Sequence, residues 1–163
     1  MTSTTIDALD ITEKWKARFR IIAEGEPFVK GVPQNYARLP FSLRFNIPGF
    51  FFSSLYYLYL RMYAKGFVII GITWAYCTLL VIIEYMLGRE LPSVIYYMPA
   101  SAFCASLVAT DYYKFKLHNS SMWEKLSFLS DIKYAAAFAL AGFALLAIAV
   151  YTLPLPTDIP GEY

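Results

Sequence analysis

The sequence predicts an all-α membrane protein with three transmembrane helices, an N-terminal amphipathic helix and an aromatic interfacial or re-entrant segment. Three observations lead there. Apolar and aromatic residues make up 58% of the 163-residue chain and charged residues 16%, with a mean hydropathy of +0.47, whereas water-soluble domains are nearer a quarter charged. Three runs, 67–87, 94–113 and 134–153, each reach the roughly 20 residues that a helix needs to cross a bilayer. Of the 14 Lys and Arg, all but Arg89 share one side if only those three runs cross, which matches the bias of basic residues toward the cytoplasm.

Taken in order, residues 1–44 form a cytoplasmic region. From Ile11 to Glu24 the apolar Ile11, Trp15, Phe19 and Ile22 recur at helical spacing between Lys14, Lys16, Arg18 and Arg20, which predicts an amphipathic helix over 11–24. Asp10 with Glu13 supplies a start and Gly25 a stop. Such a helix either packs on the rest of the chain or rests on an anionic bilayer surface, with Lys14, Trp15, Lys16, Arg18, Phe19 and Arg20 as its lipid contacts. The opening residues Asp7, Asp10 and Glu13 argue against a cleavable signal or a transit peptide. Pro27, Pro33 and Pro40 with Gly25 and Gly31 mark 25–44 as a connection.

Residues 45–153 form the membrane domain. Its first part, 45–63, is dense in Phe and Tyr but broken by Asn46, Pro48, Gly49, Ser53 and Ser54, and its apolar stretch is short for a span. If it crossed, the basic residues from Lys14 to Arg44 would move outside. An interfacial or re-entrant position follows, since tyrosine rings suit the headgroup zone. The tail 154–163, with Asp158 and Glu162 and no basic residue, is then periplasmic.

Helices in lipid associate through small residues that let backbones approach. Gly71 and Ala75 supply such a row in the first span, Ser101, Ala105 and Ala109 in the second, and Ala137 and Ala141 in the third. An antiparallel crossing of the first two spans would put Cys77 and Cys104 at similar depth. Both cysteines read as inert thiols, too few for a disulfide framework.

The stretch Glu13-Lys14-Trp15-Lys16-Ala17-Arg18-Phe19, then Phe45-Asn46, Phe50-Phe51-Phe52, Leu55-Tyr56-Tyr57, Met62 and Gly66, with Ala109-Thr110-Asp111-Tyr112-Tyr113-Lys114 further on, resembles the bacterial membrane proteins grouped as DUF2628. The likeness covers roughly residues 10–116. It implies a small protein of the bacterial inner membrane and implies no activity. Two departures stand out: Ser53-Ser54 where that family usually has Gly-Pro, and Asp111 where asparagine is common. The first weakens the expectation of a sharp bend, and the second implies that a carboxylate is not essential at that point.

Two acids are the candidate polar sites. Glu84 lies inside a span, where ionisable groups are costly and often mark ion or proton paths. Its structural alternative is to reach the interface and pair with Arg89 or a tyrosine hydroxyl. Asp111 stands one helical turn from Lys114, so a local ion pair accounts for it. A catalytic role would need a partner such as His118, the one histidine. No phosphate loop, metal-spaced histidine pair, nucleophile elbow or Cys-x-x-Cys occurs, so neither catalytic residues nor a cofactor or metal is expected. The net charge of +2 gives nucleic acid no footprint. Trp15, Trp74 and Trp123 read as interface anchors. The expected partners are the bilayer and another membrane protein, which makes the chain an accessory, assembly or immunity-type protein. The alternatives are a homo-oligomeric channel or transporter using Glu84, and a membrane enzyme using Asp111 and His118.

Overall fold

A computed structural model of the chain describes residues 3–24 and 41–153. Every regular element among them is helical: α1 (Ser3–Asp7), α2 (Glu13–Ala23), α3 (Phe41–Arg44), α4 (Ile47–Tyr59), α5 (Tyr63–Leu87), α6 (Val94–Leu117), a 3-10 helix (Glu124–Leu129) and α7 (Ile132–Thr152). The proline-rich connection expected before α3, the Gly25 stop and the acidic tail lie outside the described residues. The start of α2 differs from the expected one: Thr12, in extended conformation, is its N-cap, rather than Asp10.

Asn46 and Pro48, which look like interruptions of an apolar run, are the start of α4. The Asn46 carboxamide oxygen accepts the Gly49 N–H at 3.0 Å, and Pro48 sits in the first turn, where a missing N–H costs nothing. Seven residues after Asn46 the helix breaks. Ser53 adopts φ 44° and ψ −122°, a region that Cβ sterics leave mainly to glycine. The bend that the loss of Gly-Pro made doubtful is therefore present. It folds α4 into two arms, so that Tyr56 of the second meets Asn46 at the start of the first.

Two helices, α5 with 25 residues and α7 with 21, are long and apolar enough to cross a membrane. Of the three expected spans, the middle one does not qualify on composition. Helix α6 is long, with 24 residues, but it contains Pro99 and ends in Thr110, Asp111, Tyr112, Tyr113, Lys114 and Lys116. Proline lacks an N–H, which orphans the Ile95 carbonyl, and the Tyr76 hydroxyl of α5 donates to that oxygen at 3.1 Å.

Helix α5 packs chiefly on α7, and α6 on α4. The α5–α7 pair is parallel, since Ala64 and Val68 share a core with Ala135 near both N-termini and Gly71 meets Gly142 further on. A Cβ on Gly142 would stand 2.7 Å from the Gly71 carbonyl oxygen, closer than carbon and oxygen tolerate. Trp74 and Phe143 rings pack at 4.9 Å beyond that point.

The sequence rows are right in part. Gly71, Ala105 and Ala109 are buried, Ser101 is half-buried, and Ala75, Ala137 and Ala141 are exposed. The buried row of α7 is Ala135, Ala139, Gly142 and Ala149. Two residues of helix rotate a side chain by about 200°, so the expected face points the opposite way. The cysteines also part company: Cys104 accepts a hydrogen bond from the Ser53 hydroxyl at 3.3 Å, while Cys77 lies near Tyr96, more than two turns away along α6.

Candidate functional site

The end of α6 nearest the α5 and α7 N-termini is where the polar side chains converge. Helix α2 lays Phe19 and Ile22 into a core with Tyr57, Tyr112 and Tyr113, Phe19 standing edge-on to Tyr113 at 5.2 Å. The apolar stripe of α2 thus faces α6. This corrects the reading of Phe19 as a lipid contact, because its side chain has no exposed surface. Trp15 is half-buried against Tyr112 at 4.8 Å. Lys14 and Arg20 remain exposed, while Lys16 and Arg18 are half-buried. Arg20 pairs with Asp7 of α1 and Lys16 with Glu13 at 3.1 Å.

Asp111 is the hub. Its carboxylate accepts the Tyr57 hydroxyl at 3.0 Å, the Lys65 ammonium at 2.9 Å and the Trp123 indole N–H at 2.9 and 3.2 Å. These donors come from α4, from the first turn of α5 and from the loop that leads into the 3-10 helix. The side chains of Lys65 and Asp111 are 1% and 5% exposed. Lys65 also stands 5.7 Å from the Trp123 ring centre, a distance at which a cation is attracted to the ring face.

A carboxylate has about four lone-pair directions, and here three donors occupy them. Such a group is fitted to hold helices together and poorly fitted to take a proton from a substrate. The ion-pair partner at hydrogen-bond distance comes from another helix, 46 residues earlier, and Lys114, one turn along, adds a more distant attraction to the same carboxylate. His118 closes α6, its ring 5.8 Å from Tyr113, and the hub is built without it. Sequence reasoning found Asp111 and missed Lys65, Tyr57 and Trp123. The one signal for Lys65 was a lone lysine two residues before an apolar run, which starting the span at 67 left outside the expected helix.

At the opposite end, Glu84 is buried and its Oε1 accepts the Leu91 N–H at 2.7 Å. The Tyr96 hydroxyl is its second partner. Gly88, at φ 62°, ends α5 and turns the chain back, so Glu84 staples the α5–α6 connection. The tyrosine hydroxyl alternative agrees with this arrangement. The Arg89 alternative does not, because Arg89 is exposed and a backbone amide takes the position a cation would fill.

Fold and polar centres together define an all-helical protein with two helices fit to cross a membrane and a buried ion pair at one end. The chain matches the model of the family described as "Protein of unknown function (DUF2628)" over residues 9–118, and it belongs to that family. The match takes in α2 to α6 and stops short of α7. No curated protein and no solved structure matches it.

Proposed function

We propose that this chain is a non-enzymatic polytopic protein of the bacterial inner membrane, an accessory or assembly partner that receives a helix of another membrane protein along the outer face of α7. The observation that carries the reading is the surface of α7. Leu140, Phe143, Leu145 and Ile148 are exposed, as are Ala137, Ala141 and Ala144 at helical spacing. Water-soluble monomers rarely leave an apolar face of that extent uncovered, which supports lipid around it. In lipid the row of alanines lets a neighbouring backbone come close.

In this reading α6 is a third crossing, because Lys65, Tyr57 and Trp123 neutralise and enclose its polar end. The broken α4 dips into the bilayer from the cytoplasmic side, with Phe51, Phe52 and Leu55 exposed about its bend. Lys114, Lys116, Lys125 and Lys133 then lie on the cytoplasmic side with α2, and Arg89 lies opposite. A channel through Glu84 has less support, since its carboxylate is committed to Leu91 and Tyr96.

Purification in mild detergent should yield a second membrane protein in stoichiometric amount, and Ala141→Leu should release it while the chain stays folded. Recovery as a monomer or a pure homo-oligomer would count against the proposal. Cysteines introduced at Ser3 and Glu162 should be labelled from opposite sides of the membrane.

A further inference from the structure

We infer that the cleft between α2 and α4 binds a phosphate group, carried in the cell by the headgroup of an anionic phospholipid. The inference rests on the membrane placement above only for the choice of lipid over free phosphate. The cleft has a volume of about 120 Å³ and is walled by Thr12, Lys14, Trp15 and Arg18 on one side and by Asn46 and Tyr56 on the other. Two cations and two hydroxyls thus meet, and none of the described lining residues is acidic. Glu13, the nearest acid in sequence, is turned to Lys16.

One of the two cations is held against a ring. The Arg18 guanidinium lies over the Trp15 ring at 5.1 Å, and Trp15 is itself packed edge-on against Tyr112 at 4.8 Å. Stacking orients the guanidinium, a group whose five N–H donors meet phosphate oxygens in a fork. Thr12 is the N-cap of α2 but makes no capping bond with its side chain, so the helix does not consume its hydroxyl. The first turn of α2 adds the positive end of an 11-residue helix. Across the cleft, Asn46 is fixed by Gly49 and hydrogen-bonds Tyr56, which orients that phenol.

The apolar surroundings select a lipid. Helix α4, which forms one wall, also presents Phe51, Phe52, Leu55 and Tyr59 at its surface. A headgroup in the cleft therefore has an apolar ridge beside it along which acyl chains can lie, whereas a free phosphate would gain nothing from that ridge.

The experiment uses the full chain in a neutral maltoside detergent, titrated with dioctanoyl phosphatidylglycerol and read by native mass spectrometry and by tryptophan fluorescence. One lipid should bind saturably. The pair Lys14→Gln, Arg18→Gln should weaken it by about tenfold per cation. Lys125→Gln with Lys133→Gln removes the same charge elsewhere and should change affinity by less than about twofold. Equal weakening by both pairs, or binding that never saturates, would overturn the cleft. If the double variant does not fold, Lys14→Gln alone serves, because that side chain is exposed. Displacement of the lipid by inorganic phosphate at similar concentration would keep the phosphate site and overturn the lipid as its source. Release of the chain from vesicles by alkaline carbonate would instead defeat the membrane placement, whatever the cleft binds.

Discussion

The two main helix seams are built on opposite principles. Between α4 and α6 the contact is polar and directional: the Asn46 N–H donates to the Ala105 carbonyl at 2.8 Å, Ser53 donates to Cys104, and Tyr57 donates to Asp111. Between α5 and α7 it is close approach of backbone, Gly71 on Gly142, with rings packed further along. A polar seam tolerates one register, because a shift of one residue would leave buried donors and acceptors unmatched. A seam of small residues is held by shape alone, and any added atom opens it. The first seam lies within the region that defines the family, and the second needs α7, which lies beyond it.

Breaking the polar seam should have the largest effect. Asp111→Ala strands the Lys65 ammonium among apolar groups, and losing one partner of a buried pair costs about 3–5 kcal/mol. Thermal unfolding in detergent, followed by Trp123 fluorescence, should show the loss. Asp111→Asn should cost less, because its carbonyl still accepts Tyr57 and Trp123. Adding Lys65→Met to it should restore most of the stability, and failure of that rescue would mean that the charge is not what the hub is for.

A smaller effect is expected at the second seam. Gly142→Ala places a methyl group against the Gly71 backbone, an overpacking that costs about 1–3 kcal/mol. Its signature should differ: a change in the environment of Trp74, which packs on Phe143, with that of Trp123 preserved. Loss of both signals together would show that the seams are one cooperative unit.

The smallest effect should be a gain. Ser53→Gly removes a Cβ from a backbone at φ 44° and should raise stability by about 1 kcal/mol if the bend is part of the native state. A fall in melting temperature would mean that the Ser53 hydroxyl on Cys104 outweighs the strain.

Much of this was legible residue by residue. Helices α2, α5, α6 and α7 follow from apolar periodicity and run length, and the unusual acids Glu84 and Asp111 stood out as charges among apolar neighbours. Their partners did not. Nothing local distinguishes Lys65 from Lys114 as the counter-charge for Asp111, since the choice depends on which helix lies beside α6. The packing face of α7 was misplaced for a related reason. A helix apolar all round carries no contrast between inside and outside, so Ala137 and Ala139 look alike until a neighbour is known.

What the sequence by itself determined is the set of segments able to become apolar helices and which charges need partners, because the length of an apolar run and the cost of burying charge are local properties. Tertiary structure alone decided that α5 runs parallel to α7, that Lys65, Tyr57 and Trp123 converge on Asp111, and that Lys14 and Arg18 share a cleft with Tyr56. These depend on the mutual orientation of helices, which in an apolar surrounding rests on shape and on a few long-range hydrogen bonds rather than on hydrophobic contrast.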